Sequence, residues 1–185
     1  MTIERLDWGC GPIVAAHENW TTSDECEYVQ SLPFREPDHI GRIQDGLPWP
    51  DGHFAYVVSH HALMGLGEFD LIPALAELRR VTKPGGWLRV SVPDMDQAIY
   101  AYLHGNRKWF PLDAPNASVA FCRYVTQNGA TRSVFNHPRL AHLVADAGWY
   151  WGPASFQVSN SGCEGITDLD SRPDESIFIE ARNDG

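Results

Sequence analysis

Leu6-Asp7-Trp8-Gly9-Cys10-Gly11-Pro12 lies almost at the start of the chain and constrains the fold more than any other stretch. An apolar residue and a carboxylate run straight into Gly-x-Gly. Glycines are required where backbone passes too close to something for a Cβ, or where φ is positive. At the end of a strand, such a turn lets a nucleotide-like molecule lie against bare peptide groups. An ordinary strand-ending turn has the same composition, so the loop needs support from the rest of the chain. Two common glycine loops are excluded. The dinucleotide fingerprint needs a third glycine where Val14 stands, and the phosphate loop needs a terminal Gly-Lys-Ser/Thr that is absent. An adenosyl ligand without phosphates suits this turn better than NAD or ATP.

The downstream chain alternates strand-like and helix-like segments, the pattern of an α/β sheet. Ile3 to Trp8 reads as the first strand, and Trp20 to Asp24 as a second that ends in a carboxylate. His39 to Ile43 is a weaker third, and Phe54 to Ser59 a buried fourth. Leu71 to Val81 sets Leu71, Ala74, Leu75, Leu78 and Val81 on one helical stripe. The turn Lys83-Pro84-Gly85-Gly86 stops that helix, and Trp87 to Val92 is the next strand. Met95 to Leu103 and Arg139 to Ala147 are predicted helices. Phe156 to Ser159 and Ser176 to Ala181 are predicted as a closing pair of strands. Residues 104–133 look like an insertion or lid in an otherwise single domain spanning residues 1–185. Its Trp109, Phe110, Phe121 and Tyr124, with Tyr100 and Tyr102, would form either an acceptor lid or a small satellite core or dimer surface.

Charge and cysteine usage narrow the function classes. A net charge of −10 over 185 residues disfavours broad nucleic-acid or anionic-membrane binding, which needs clustered Lys and Arg. Cys10, Cys26, Cys122 and Cys163 have neither zinc spacing nor a disulfide framework. No apolar run is long enough to span a bilayer, and no leader is recognisable at the amino terminus. A cytoplasmic location and no bound metal are the resulting expectations.

Four motifs in order, LDWGCGP, WTTSD, LPWPDGHFAYVVSHHAL and ELRRVTKPGGWLRVSVPD, resemble class I S-adenosylmethionine-dependent methyltransferases. The similarity is to the small type in which the helix after the first strand is shortened. FNHPRLAHLVADAGW and ESIFIEAR resemble the later helix and last strand of the same family. The resemblance implies a Rossmann-like, doubly wound seven-stranded sheet with a C-terminal antiparallel strand and an abbreviated first helix. It implies S-adenosylmethionine as cofactor and a small-molecule or glycan acceptor, with oxygen as the nucleophile. A non-catalytic binding or scaffold protein of the same fold is the alternative. Nucleic-acid methylation is disfavoured, since neither an Asn/Asp-Pro-Pro-Tyr/Phe motif nor a Pro-Cys nucleophile pair occurs.

On this resemblance Gly9, Cys10 and Gly11 would flank the methionine portion and ribose. Asp24 would accept the ribose hydroxyls. Asp7 would hold the loop backbone, or the cofactor's amino group through water. Gln44, Asp45 and Leu47 would lie by the adenine, and Ser59 and His60 by the methionine. His61, Asp94 and His137 are the candidate general bases, a role commonly worth about 10²–10⁴-fold. Asp94 could equally cap the helix that begins at Met95. Only 12 residues separate Gly11 from Asp24, and Leu63-Met64-Gly65 replaces the family's Leu-Glu-His. With so thin a wall over the cofactor, a second copy of the chain is a candidate cover, making a homodimer one expected state.

Overall fold

The structure, a computed structural model, describes residues 4–11, 17–25, 36–110 and 113–185. Ile3, the abbreviated first helix expected after Gly11, and Cys26 lie outside them. Seven strands form one sheet: β1 (Arg5–Trp8), β2 (Thr21–Asp24), β3 (His39–Ile40), β4 (Phe54–His60), β5 (Thr82–Pro93), β6 (Tyr150–Ala154) and β7 (Ser176–Arg182). Their order is β3-β2-β1-β4-β5-β7-β6. β1 to β5 run parallel, β7 is antiparallel to β5, and β6 is antiparallel to β7. β4 and β7 are near-continuous apolar runs because both faces of a central strand are covered.

Helix α1 (Leu71–Val81) buries the predicted stripe. Helix α4 (His137–Asp146) begins at Asn136, whose side chain accepts the Arg139 N–H at 3.2 Å, and buries Leu140, Ala141, Leu143 and Val144. Both pack against Leu6, Val57, Leu88 and Ile179 in the main core. The Trp149 indole N–H donates to the Leu75 carbonyl at 3.0 Å, tying β6 to α1. On the other face, Trp20, Tyr56 and Val58 pack on Ile166 from the long connection between β6 and β7.

Helix α2 (Met95–Leu103) and helix α3 (Ala117–Thr126) form a separate apolar cluster of Ala98, Ala101, Phe110, Ala114, Ala120 and Tyr124. The segment 104–133 therefore has its own small core seated on α2. The strand expected at Phe156–Ser159 is a correction. The strand is Tyr150–Ala154, and Ser155 and Val158 make only an isolated bridge in a turn where Gln157 has φ +57°. Gly152-Pro153 argued against a strand there, yet β6 is an edge strand, where a missing N–H is tolerated. The predicted third strand is shortened to His39–Ile40 because Ile43–Asp45 turn into a single 3₁₀ turn. The Lys83–Gly86 turn is absorbed into the start of β5, where Gly85 takes φ +78°.

Arg89 on β5 is fully buried and holds the β6–β7 connection to the sheet. Its Nε and Nη2 donate to the two oxygens of Asp170 at 2.6 and 2.5 Å, and Nη1 donates to Glu180 Oε1 at 2.8 Å. Nη2 also donates to the Ser155 carbonyl at 2.8 Å. A buried ion cluster costs desolvation, and removing one partner strands the other charges. Arg89→Ala is expected to lower stability by about 3–5 kcal/mol in chemical denaturation, because Asp170 and Glu180 are left buried without their cation.

Candidate active site

The carboxyl ends of β1 and β2 are stitched together by the glycine loop. Gly9 and Cys10 N–H groups both donate to the Ser23 carbonyl, at 2.8 and 3.3 Å. The Gly11 N–H donates to Asp24 Oδ2 at 2.8 Å. Gly9 (φ +73°) and Gly11 (φ +58°) both occupy the left-handed region. A Cβ on Gly9 would lie 2.1 Å from the Ala62 Cβ, so this glycine is required by the close approach of the chain after β4. Among the described residues, a Cβ on Gly11 would meet nothing within 4 Å.

A cleft of about 790 Å³ lies at the tips of the parallel strands, where open α/β sheets take their ligands. Asp7, Gly9, Cys10, Gly11, Asp24, His60 and His61 line it together. Asp7 is buried, with Oδ2 2.8 Å from His17 Nδ1. Burial raises its carboxyl pKa, and His17 partly offsets this. Burial beside Asp7 and Asp24 likewise pushes the Cys10 thiol well up, so it is an inert wall rather than a nucleophile.

Other predicted residues are not brought to the cleft. Ser59 is fully buried in β4, and Leu47 sits in the main core with its N–H donating to Glu77 Oε1 at 2.7 Å. Gln44 and the exposed Asp45 share a 3₁₀ turn with Ile43, and it is Ile43 that reaches the cleft. Asp94 caps α2, accepting the Asp96 and Gln97 N–H groups at 3.0 and 3.4 Å. His137 opens α4 against Trp151 at 5.7 Å between ring centroids. Both lie away from the cleft because helix starts claim them. Sequence reasoning missed His17, Gln127, Asp168, Asp170 and Arg172, which line the same cleft. The acidic run Thr167–Asp170 was the available signal, but only the Arg89 ion cluster folds it over the strand tips.

The His60-His61 pair diverges. His60 Nδ1 is 2.8 Å from Ser91 Oγ, and its Nε2 lies 3.7 Å from Asp170 Oδ1. His61 takes φ +55°, which turns its Nε2 to Ser176 Oγ at 2.7 Å. Burial lowers both pKa values: to about 4 for His60, where Asp170 partly offsets it and Arg89 adds to it, and to about 3 for His61, where Arg172 adds to it. Both rings are neutral near pH 7.

Two outcomes are expected. Gly9→Ala loses far more stability than Gly11→Ala in denaturant titration. The latter meets no described residue and carries left-handed strain of about 1–2 kcal/mol, whereas the former also forces Ala62 away from the glycine loop. For the histidines, the unfolded value near 6.5 lies above both folded values, so the unfolded chain binds more protons between about pH 4 and 6. Stability there rises with pH and is lost on acidification, with a limiting slope of about 2.7 kcal/mol per pH unit for two protons. His61→Asn, which tolerates the left-handed backbone, halves that slope in denaturation measured across pH.

Comparison with known proteins follows the same geometry. Residues 13–90 match the family model described as a methyltransferase domain. The chain is 39% identical over 69 residues to an uncharacterized methyltransferase of Schizosaccharomyces pombe, covering 37% of this chain and 22% of that one. It is 31% identical over 128 residues to the demethylmenaquinone methyltransferase of Renibacterium salmoninarum, covering 68% of this chain and 52% of the relative. The chain thus spans about half or less of the length of these curated relatives. Among solved structures, a methyltransferase of Thermotoga maritima dependent on S-adenosylmethionine superposes with a TM-score of 0.59 at 16% identity. That match covers 97% of this chain and 82% of the other. Such a likeness shows the fold. Residues 13–90 thus match a methyltransferase domain, and the chain has the fold of S-adenosylmethionine-dependent methyltransferases.

Proposed function

We propose that the strand-tip cleft binds S-adenosylmethionine and that the protein transfers its methyl group to a hydroxyl of a small-molecule or glycan acceptor. The observation that carries this reading is the coupling of Gly11 N–H to Asp24 Oδ2 at 2.8 Å in the lining of the cleft. It fixes a carboxylate on one strand tip next to bare peptide on its neighbour, the arrangement suited to a ribose and its adjoining chain. Asp24, Glu25 and Asp168 line the cleft against Arg172, an excess of carboxylates that favours a cation. When bound, the cofactor supplies a methyl group on a sulfonium sulfur, which leaves with the C–S electron pair as the acceptor oxygen forms its bond to carbon.

The chain's own groups are then asked for positioning more than covalent chemistry, and positioning can supply about 7–11 kcal/mol of a barrier. Gly9 and Gly11 admit the ligand to the backbone, and Asp24 orients it through charge-assisted hydrogen bonds. With His61 Nε2 donating to Ser176 Oγ, its Nδ1 is left as an acceptor for the hydroxyl proton. That nitrogen is buried and has no hydrogen-bond partner among the described residues. A pKa near 3 keeps it unprotonated throughout the physiological range, at the cost of weak intrinsic basicity. His61 therefore orients the hydroxyl and takes the proton late.

Calorimetry with S-adenosylhomocysteine tests the reading. Asp24→Asn retains an oxygen for the Gly11 N–H but removes the charge, and is expected to weaken binding by about 1.5–3 kcal/mol, roughly 10- to 150-fold. No heat from the parent protein at millimolar ligand overturns the cofactor assignment. Binding without turnover across sugars, phenols and nucleic acid would instead identify a non-catalytic member of the family.

A further inference from the structure

Beside the cofactor cleft lies a second cavity of about 490 Å³, between α3 and the chain at residues 172–175. The two share Gln127 and Arg172 as a common wall. Backbone conformation marks the same place. Among the described residues four non-glycine positions have φ in the left-handed region: His61, Gln127, Gln157 and Arg172. Three of them, His61, Gln127 and Arg172, line the cleft, and two of those form the shared wall. Left-handed backbone is costly for residues with a side chain. It persists where packing or ligand geometry requires it, and it clusters at functional sites.

The chemistry of the smaller cavity is specific. Its charges are matched two against two: Arg123 Nη1 lies 3.4 Å from Asp113 Oδ2, and Arg172 Nη1 3.2 Å from Glu175 Oε1. No net charge rewards an ionic ligand. The aromatic rings are engaged with one another, Trp109 with Tyr124 at 4.6 Å and Phe110 with Tyr124 at 6.0 Å. They leave an apolar edge rather than a slot for stacking a planar ring. Tyr124 is 8% exposed, and its hydroxyl is buried with no hydrogen-bond partner among the described residues. An unsatisfied buried hydroxyl is a standing cost that a ligand oxygen would remove.

Resting on the reading of the larger cleft as a cofactor site, we propose that this cavity is the acceptor subsite and that its ligand is a neutral polyhydroxylated molecule, a sugar or cyclic polyol. The paired guanidinium and carboxylate groups offer alternating donors and acceptors to a ring of hydroxyls. Tyr124 supplies a further donor, and Trp109 an apolar edge for the C–H face. The junction at His61, Gln127 and Arg172 leads one hydroxyl toward the cleft.

Ligand-observed saturation-transfer NMR on the full chain, with S-adenosylhomocysteine present, tests this without turnover. Methyl α-D-mannopyranoside, trehalose and myo-inositol at millimolar concentration form one panel, catechol and 4-hydroxybenzoate the other. Transfer to a member of the polyol panel alone is expected. Arg123→Ala and Tyr124→Phe, which line the smaller cavity and not the cofactor cleft, should each weaken it tenfold or more while calorimetric binding of S-adenosylhomocysteine changes less than threefold. Tyr124→Phe should melt no lower than the parent, because it deletes an unpaired hydroxyl; a merely structural tyrosine would not separate melting from polyol binding. Transfer to the phenols only, no transfer to any polyol, or polyol binding unchanged in both variants overturns the subsite while S-adenosylhomocysteine still binds. Failure of the parent to bind S-adenosylhomocysteine overturns the cofactor reading, and this proposal with it.

Discussion

A guanidinium in the middle of the sheet organises everything on the ligand-binding side. Arg89 occupies a position in β5 whose neighbours Val90 and Val92 are core residues, and a strand interior has no water to solvate a cation. Two carboxylates and two carbonyls, those of Ser155 and Val158, must therefore come to it. Asp170 and Ser155 come from the connection between β6 and β7, which has little regular structure of its own to hold it in place. Asp170 also accepts the Gln157 N–H, and Glu180 the Asn160 N–H, so both acids are used on each side. The wall of the cleft is in this sense a consequence of solvating one arginine.

The opposite wall is set by loop backbone and a single carboxylate. The Ser23 carbonyl receives two N–H groups of the glycine loop and Asp24 a third. The spacing of β1 and β2 thus determines where the loop peptides point. Ala62, pressed on Gly9, carries the same constraint to the end of β4 and hence to His60 and His61. Three strand tips are in register through contacts that admit almost no side-chain substitution.

Much of this was legible in the chain and some was not, for reasons that are physical. Helices α1 and α4 have strong apolar stripes, α4 is capped by Asn136, and β4 is a buried run between turns, so local signals and tertiary demands agree. The Gly-x-Gly turn and Asp24 were readable because both occupy strand ends. Strand β6 was hidden because Gly152-Pro153 violates strand propensity, a penalty that vanishes at an edge. Asp94 and His137 carry the right chemistry but sit at helix starts, where free amides and packing compete for them. Arg172 and Gln127 were invisible since nothing local announces a left-handed backbone at an arginine or a glutamine. The role of Asp170 depended on a partner 81 residues away, beyond any periodicity.

The borders of the sheet carry a consequence for assembly. One margin is β3, two residues long, and the other is β6, interrupted by Gly152-Pro153. Neither presents a run of unsatisfied amides able to recruit an additional strand from another molecule, a protection against edge-to-edge stacking. The exposed apolar side chains Ile99, Tyr100 and Leu103 lie instead on α2, apart from both of these edges.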